Sequence, residues 1–469
     1  MGGWFSVTDR SGDAIDRWIN DIHQGDAVET LREMPESSVH CVMTSPPYFG
    51  LRDYEVDGQI GLEETVDKYI SELEGVALEL RRVLRDDGNW WLNLGDSFAG
   101  SGRGQWTDDD GEPKESYRPD SDQLPKQATR FRRKSKMLIP HRVAIALQDA
   151  GWIVRSDAVW SKPAAMPNPV KDRLNEHKEF LFHLTPAPNY WFDLDAVREP
   201  HADASFDRIE RAKESGNYTG GLQMAACPRE NAEEHARMDP KDACHPNGKN
   251  PGDVLEITTK PFPEAHFAVY PPELCETPIK SSCPERVCAE CSTPYERTTR
   301  DVPVWKRDRS TIERPQLRKA LERFDNSDLS EEHLKAARAT GFSDAAAGKE
   351  QSGAGRNTDE TEQLAREAKD VLGGYFREIT MTDRETDGWS QACDCETSET
   401  ESGIVLDPFA GAGTTALVAK RLGRQFIGID LNPEYVAMAQ RRVGVDVDDP
   451  ERLLDDGERP LSAFTDGGV

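Results

Sequence analysis

The sequence predicts an α/β protein in which a mixed, mostly parallel sheet carries helices on both faces. Three observations support this prediction. Runs of strand and helix length alternate over roughly residues 20–100 and 139–192. An apolar run at residues 39–44 ends abruptly at two prolines. A strand, a glycine loop, a helix and a second strand follow one another over residues 403–430.

The first hundred residues supply the elements of one half of this sheet. Residues 27–34 fit a short amphipathic helix, and residues 39–44 form an apolar run of strand length. Two prolines cannot continue a strand ladder, so the chain is expected to leave the sheet there as a rigid loop. Residues 65–84 have apolar side chains at helical spacing, and residues 90–94 predict the next strand.

Polar segments interrupt the alternation. Residues 101–125 are dominated by Gly, Asp, Ser and Pro, which is typical of a surface loop. Residues 200–250 are polar and show no clear period. Residues 306–385 are strongly charged and contain two weak helical stretches, at 316–324 and 360–372, which predict an inserted and loosely packed helical subdomain.

Composition excludes whole-chain disorder and membrane integration. The 469 residues are 36% hydrophobic, and no run approaches the roughly 18 apolar residues of a spanning helix. The first residues lack the apolar core of a signal peptide, so a cytoplasmic protein is expected. The net charge is −28 and 19 of the 58 basic residues are Lys, which favours a halophilic source. In such a protein net charge says little about nucleic-acid binding.

The loop between Gly411 and Gly413 is the first candidate site. Glycines between a strand and a helix allow backbone N–H groups to approach a bound nucleoside closely, and Asp430 closes the next strand where a carboxylate can accept ribose hydroxyls. A third glycine and a Gly-Lys-[Ser/Thr] sequence are both absent, which favours a nucleoside cofactor without phosphates. A tight turn without any ligand is the alternative.

The turn Ser45-Pro46-Pro47-Tyr48 is the second candidate site. A rigid turn at the carboxyl end of a strand can present a side-chain oxygen and a backbone carbonyl to one planar amine, while an aromatic ring stacks on a base. Taken alone, the turn could be purely structural.

Together the two segments resemble the motifs of the amino-group DNA methyltransferases that use S-adenosylmethionine. That family has a [Ser/Asp/Asn]-Pro-Pro-[Tyr/Phe/Trp] motif for the target amine and an Asp-Pro-Phe-x-Gly-x-Gly-Thr-Thr segment for the cofactor. Both are complete here, at residues 44–48 and 407–415. The catalytic motif comes first, which is similar to the permuted β-type order. Further similar segments include Gly25-Asp26 and Trp160-Ser-Lys-Pro163, followed by Glu179.

The resemblance implies a Rossmann-like methyltransferase fold with a seven-stranded sheet, and a role for each motif residue. Ser45 and the Pro46 carbonyl would accept hydrogen bonds from the target amine, and Tyr48 would stack on a base flipped out of the duplex. Asp430 would hold the cofactor ribose, and Asp26 would reach the other side of the cofactor. The implied catalytic residues are Ser45, Pro46, Pro47 and Tyr48. The implied cofactor residues are Asp26, Asp407, Phe409, Ala410, Gly411, Gly413, Thr414, Thr415 and Asp430.

The resemblance implies the identity of the target amine less clearly than it implies the cofactor. Ser at the first motif position leans toward cytosine N4 in this family and Asp leans toward adenine N6, so Ser45 favours N4-methylcytosine, with adenine as the alternative. Two readings from other classes stay open: a methyltransferase that acts on RNA or a small molecule, and a non-catalytic, zinc-bearing DNA-binding protein. Loss of motif residues would favour the latter, but the motifs are intact.

Two cysteine pairs suggest a metal site. Cys288 and Cys291 form a C-x-x-C, and Cys393 and Cys395 form a C-x-C. Four thiolates are enough for a tetrahedral, structural zinc site, which would close the base of the charged insertion. Free thiols are the alternative, since disulfides are rare in the cytosol.

A basic cluster at residues 126–142 of this acidic chain suggests phosphate contacts with duplex DNA, with a solvated surface loop as the alternative. Two cations in the family-like segments, Lys162 and Arg173, are comparable candidates. The candidates are Arg132, Arg133, Lys134, Lys136, Lys162 and Arg173. No motif for base readout is visible, and a cognate restriction endonuclease and the oligomeric state cannot be inferred from one chain.

The resemblance also implies a domain plan. Residues 20–200 form the catalytic half and 400–445 the cofactor half, and residues 251–287 return the chain to the core. Residues 201–250 form a variable region suited to target recognition, residues 288–395 form the zinc-bearing insertion, and residues 446–469 form an acidic tail.

Overall fold

A computed structural model of the chain describes residues 13–52, 54, 56–99, 131–132, 134–165, 170–199, 248–259, 269–306, 315–340, 358–375 and 382–444. The chain divides into two compact units. The first comprises Met1–Val197, Gly252–Tyr295 and Gln391–Val469, and the second comprises Arg198–Pro251 and Glu296–Ser390. Each unit is described separately.

The described strands and helices are as follows. The strands are β1 (Asp21–Gln24), β2 (Val39–Thr44), β3 (Leu84–Leu94), β4 (Ile153–Ser161), β5 (Lys178–Thr185), β6 (Val254–Glu256), β7 (Val287–Cys288), β8 (Glu296–Pro303), β9 (Thr382–Ser390), β10 (Thr400–Glu401), β11 (Ile404–Asp407) and β12 (Gln425–Asp430). The helices are α1 (Asp13–Asp16), α2 (Ala27–Glu33), α3 (Val66–Val83), α4 (Ile139–Asp149), α5 (Pro272–Ser282), α6 (Pro315–Asp325), α7 (Glu331–Thr340), α8 (Asp359–Leu372), α9 (Thr414–Arg421) and α10 (Pro433–Val443).

The first unit is built on an eight-stranded sheet of order β1-β12-β11-β2-β3-β5-β4-β6. β1, β12, β11, β2 and β3 run parallel to one another, and β5 runs antiparallel between β3 and β4. The predicted α/β fold class is therefore confirmed. The sheet has one strand more than the seven expected, because the three-residue β6 pairs in parallel with the outer side of β4.

Alternating side chains of the central strands enter two different cores, one on each face of the sheet. On β2, Val42 packs with α3 and α4, whereas Cys41 and Met43 pack with α5, α9 and α10. This alternation follows from the two-residue period of a strand. Both faces of β2 are covered, which explains why its sequence is continuously apolar rather than alternating.

Local signals fix the helix ends near the site. Asp26 caps α2 by accepting a hydrogen bond from Glu29 N at 2.9 Å, and Asn432 caps α10 in the same way, with Pro433 at the first helical position. Gly413 precedes α9 at φ 73°, and a Cβ there would lie 2.9 Å from Ala439 Cβ. Glycine is therefore required both for the turn and for the close approach of α9 to α10.

The second unit contains the two helices expected within residues 306–385, as α6 and α8. It also contains α7 and an antiparallel pair of strands, β8 and β9, which the sequence reasoning did not predict, because their Thr, Asp, Glu and Arg residues lack apolar alternation. The helices enclose a small core that includes Leu317, Leu334 and Leu372. Residues 201–247 of the predicted variable region, the predicted surface loop at 101–125 and the predicted acidic tail at 446–469 lie outside the described residues.

Among the described residues, the helices are all too short or too polar to cross a membrane.

Candidate active site

A cavity of about 550 Å³ lies in the first unit at the carboxyl ends of β2, β11 and β12. Ligands bind at this edge in open α/β sheets. The cavity brings together most of the residues that the sequence analysis singled out. The lining contains Asp26, Ser45, Pro46, Pro47, Tyr48, Phe409, Ala410, Gly411, Thr414, Asp430 and Lys162.

The turn after β2 presents two hydroxyl groups to each other. Ser45 Oγ lies 3.3 Å from Tyr48 Oη, and both hydroxyls lie within hydrogen-bonding distance of Asn93 Oδ1, at 3.2 and 3.1 Å. The Asn93 side-chain amide donates to the Phe180 carbonyl at 3.1 Å, which fixes which amide atom faces the hydroxyls. Burial, with the charge of Glu179 as the second cause, raises the pKa of Tyr48 well above its usual value, so the phenol is a neutral donor.

A carboxylate and an ammonium complete this hydrogen-bonded network. Tyr48 Oη donates to Glu179 Oε2 at 2.8 Å, and Lys162 Nζ binds Glu179 Oε1. Lys162 also lies over the Trp160 ring, 4.1 Å from its centroid. Asn93 and Glu179 had no assigned role in the sequence analysis. An inward-facing polar residue in an otherwise apolar strand was the available signal for Asn93.

The Tyr48 ring packs closely against the chain after β3. A Cβ placed on Gly95 would lie 2.5 Å from Tyr48 Cε2. No real contact is this short, so the absence of a side chain at Gly95 allows the ring to occupy its position.

The glycine loop after β11 lines the predicted cofactor side of the cavity. Gly411 has φ 51° and donates its N–H to Asp430 Oδ2 at 2.8 Å, while Asn432 N donates to Asp430 Oδ1 at 2.9 Å. Burial raises the pKa of Asp430 to about 6. The two N–H groups leave lone pairs on both carboxylate oxygens for further donors.

Three predicted cofactor residues, Asp407, Gly413 and Thr415, do not line the cavity but are neighbours in sequence of residues that do. Asp407 Oδ1 accepts a hydrogen bond from Thr44 Oγ1 at 2.6 Å, and Asp407 Oδ2 accepts one from Tyr270 at 3.0 Å. Thr415 donates to the Met43 carbonyl at 3.1 Å. Gly413 sits at the start of α9. Asp407 and Thr415 therefore join the ends of β2 and β11, which places the amine motif beside the cofactor motif.

The four predicted zinc ligands form a cluster of their own in the first unit. The sulfur atoms of Cys288, Cys291, Cys393 and Cys395 all lie within 4.8 Å of one another. Zinc–sulfur bonds of about 2.3 Å place the sulfurs of a tetrahedral site about 3.8 Å apart. The donor set and its spacing therefore fit one tetrathiolate zinc ion.

This cysteine cluster adjoins the amino ends of the strands whose carboxyl ends form the cavity. His40, the second residue of β2, bonds through Nε2 to the Ser292 carbonyl at 3.0 Å and accepts from Ile404 N, at the start of β11, at 3.1 Å. Burial lowers the pKa of His40 to about 4, which keeps the ring neutral with one donor and one acceptor nitrogen. Arg85 Nη1 donates to the Cys291 carbonyl at 3.3 Å.

Three of the predicted phosphate contacts, Lys134, Lys136 and Arg173, lie near one another, and each of them has an acidic partner. Lys134 pairs with Asp172 at 2.5 Å, and Arg173 and Lys136 both pair with Glu176. Lys162 lies in the cavity wall on Glu179, not on an outer face. Arg132 is exposed, and Arg133 lies outside the described residues. Four of these cations thus have an acidic partner that DNA phosphates would have to replace.

Comparisons with known proteins found a matching family and similar chains. A family model described as DNA methylase matches residues 39–287 and 395–441. The chain is 39% identical over 261 residues to the type II methyltransferase M.XycI of Xanthomonas campestris pv. cyanopsidis, covering 56% of this chain and 72% of that protein. It is 38% identical over 263 residues to the type II methyltransferase M.Cfr9I of Citrobacter freundii, with the same coverage. A solved structure named PvuII DNA methyltransferase (cytosine-N4-specific) aligns over 93% of both chains at 15% identity, with a TM-score of 0.42.

Proposed function

The chain belongs to the DNA methylase family, and from that premise we propose that it transfers a methyl group from S-adenosylmethionine to the N4 amine of cytosine in a specific duplex DNA sequence. The observation that carries the proposal is the junction of the two motifs: the hydroxyl of Ser45 and the glycine loop of Gly411 line one cavity. Its volume of about 550 Å³ lies within the usual range for small-ligand sites.

The cofactor side of the cavity suits a nucleoside without phosphate groups. Asp430 would accept hydrogen bonds from the ribose hydroxyls, because both of its oxygens retain lone pairs beside the Gly411 and Asn432 N–H groups. Phe409 and Ala410 would line the sugar and the methionine, and Asp26 would face the cofactor from the start of α2. When bound, S-adenosylmethionine supplies an electrophilic methyl group on a sulfonium.

The amine side of the cavity suits an exocyclic amino group. Ser45 Oγ and the Pro46 carbonyl would accept its two N–H bonds and so increase the electron density on nitrogen. The prolines hold both acceptors rigidly, so catalysis would depend on orientation and on preorganised dipoles. Tyr48 would contact the face of a base flipped out of the duplex, since the amine cannot be reached within the stack.

The preference for cytosine rests on Ser45 alone, and adenine N6 is the alternative. The test is to incubate the purified protein with S-adenosylmethionine and mixed-sequence duplex DNA, digest the DNA to nucleosides and identify the methylated product by mass spectrometry. We expect N4-methylcytosine. N6-Methyladenine would overturn the base assignment but keep the reaction, and no methylated nucleoside with proven cofactor binding would contradict DNA as the substrate.

The biological setting of the reaction follows from the relatives. M.XycI and M.Cfr9I are named type II methyltransferases, which supports a role in restriction–modification, with a cognate endonuclease that cuts the same site when it is unmethylated. DNA methylated by this chain should then resist an endonuclease purified from the same source. Equal cutting of methylated and unmethylated DNA would contradict this role.

The cysteine cluster supports a second proposal: one structural zinc ion bound by Cys288, Cys291, Cys393 and Cys395. Four protein ligands leave no open position for a reacting group, so the ion would stabilise the fold and take no part in methyl transfer. Elemental analysis of protein purified without added metal should give about one zinc per chain, and C393S should abolish it. A wild-type protein free of zinc after refolding with the ion would contradict the site.

A further inference from the structure

The hydroxyls of Ser45 and Tyr48 form a continuous path of hydrogen bonds from the cavity to the carboxylate of Glu179. We propose that this path removes the proton that the target amine must release, with Glu179 as the acceptor at its end. The inference rests on the proposed methylation of an exocyclic amine, and it assigns a role to a residue that neither motif contains.

The reaction requires such an acceptor. A bond forms between the amine nitrogen and the methyl carbon while the bond between that carbon and sulfur breaks, and the sulfur keeps the electron pair of the broken bond. The nitrogen therefore becomes positively charged and must lose one proton to give the neutral methylamine. Positioned proton acceptors contribute about 10²–10⁴-fold to the rate of such steps.

Three carboxylates line the cavity within the described part of the chain, and two of them face the cofactor loops. Asp430 binds the N–H groups of Gly411 and Asn432, and Asp26 caps α2. Glu179 is the carboxylate that reaches the amine motif, through its 2.8 Å hydrogen bond with Tyr48. Asn93 also contacts both hydroxyls, but an amide oxygen does not hold a proton at neutral pH.

The donors along the path point in one direction. An ionised carboxylate can only accept, so Tyr48 donates to Glu179, and the Tyr48 oxygen can accept from Ser45 at 3.3 Å. Ser45 then presents lone pairs to the amine. When the amine gives its proton to Ser45, Ser45 passes one to Tyr48 and Tyr48 passes one to Glu179. Both hydroxyls end as they began, and Glu179 has gained the proton that the amine lost.

Lys162 acts on this path as a positioning residue. Its ammonium binds the other oxygen of Glu179 and lies over the Trp160 ring, which directs Oε2 toward Tyr48. The side chains of Glu179 and Lys162 are 17% and 19% exposed, so the proton can pass from Glu179 to water after each turnover.

The test compares E179Q and Y48F with the wild type in single-turnover methylation of DNA between pH 6 and 9. E179Q keeps the shape of the side chain but cannot take a proton, and Y48F keeps the ring but interrupts the path. We expect each to be about 100-fold slower near neutral pH, with a rate that rises with pH because hydroxide must then accept the proton. The double variant should be no slower than either single variant, and formate should partly restore E179A.

The control is E276Q, which removes an exposed carboxylate on α5 that pairs with Lys280 and does not line the cavity. It should keep the wild-type rate and pH profile. Cofactor affinity within twofold of the wild type shows that a variant is folded. If E179Q misfolds, the rate of Y48F tests the proton path. Rates within threefold of the wild type for Y48F or E179Q, with an unchanged pH profile, would overturn the path. Absence of any methylated nucleoside from the wild type would instead overturn the proposed function.

Discussion

The two edges of the central sheet carry different kinds of site. At the carboxyl edge, loops after β2, β11 and β12 contribute to a cavity lined by hydroxyls, carboxylates and glycine backbone. At the amino edge, His40 and Arg85 connect β2, β11 and β3 to the cysteine cluster. The groups at the carboxyl edge are suited to catalysis, whereas those at the amino edge are suited to a structural metal site.

The contrast predicts that changes at the two edges have separable effects. Substitutions of Ser45, Glu179 or Asp430 at the carboxyl edge should alter methylation with little loss of stability, because these side chains are only partly buried. Substitutions at the amino edge should lower stability and metal content and should alter methylation only through the loss of folded protein.

The largest expected effect on activity comes from S45A. Removing the hydroxyl deletes one acceptor for the amine and the first group of the proton path, so the single-turnover rate should fall by about 100-fold or more. The free energy of unfolding should change by less than about 1 kcal/mol, since Ser45 is only half-buried. Rapid-quench methylation measures the rate, and urea denaturation measures the free energy of unfolding. A large loss of stability beside the loss of rate would contradict the proposed difference between the two edges.

The largest expected effect on stability comes from the double variant C291S and C395S. Loss of two thiolates should release the zinc ion and lower the free energy of unfolding by at least about 3 kcal/mol, because structural zinc contributes directly to folding. The matched control is C283A, which removes a buried thiol outside the cluster and should keep the zinc. A double variant with wild-type thermal stability would show that the cysteine cluster does not stabilise the fold.

A smaller effect is expected from G95A. The added methyl group would lie 2.5 Å from the Tyr48 ring, so the ring must shift and methylation should slow by about tenfold. G75A is the matched control: it lies in α3 with open space around its Cβ, and it should raise stability by about 0.5–1 kcal/mol. Equal activity of the two variants would mean that the position of Tyr48 is unimportant.

The smallest effect concerns pH and cofactor affinity. The pKa of Asp430 is raised to about 6, so this carboxylate is ionised at pH 7.5 and becomes protonated as the pH falls below 6. Protonation weakens its acceptance of hydrogen bonds, and the dissociation constant of S-adenosylmethionine should rise about fourfold between pH 7.5 and 5.5. Calorimetric titration of the wild type and D430N checks this, and an equally steep dependence in D430N would assign it to another group.

The two edges also differ in how far the sequence predicts them. The cavity could be predicted because each motif is local: Pro46 ends a strand, Gly411 permits a turn, and Asp430 closes the next strand. The cysteine pairs were recognisable as candidate ligands from their spacing, and the structure brings all four sulfurs together. The contact of His40 with the loop of the cysteine cluster was not predictable, because its hydrogen bond to the Ser292 carbonyl joins residues 252 positions apart.

The network beneath the amine motif was not predictable for a related reason. Glu179 meets Tyr48 because β5 pairs antiparallel with β3 in one register, which places Phe180 opposite Leu94. The fold as a whole sets that register, so the local sequence does not predict it. Lys162 gives the clearest example: its sequence neighbourhood predicted a phosphate contact, whereas its position beside Glu179 gives it an internal partner.

The most direct test of the account is to titrate S-adenosylmethionine into the wild type, D430A and S45A and to compare the dissociation constants. The proposed function assigns Asp430 to the cofactor and Ser45 to the amine, so D430A should bind at least about tenfold more weakly, while S45A should bind within about twofold of the wild type. Unchanged binding by D430A, or a large loss of binding by S45A, would contradict the assignment of the two sides of the cavity.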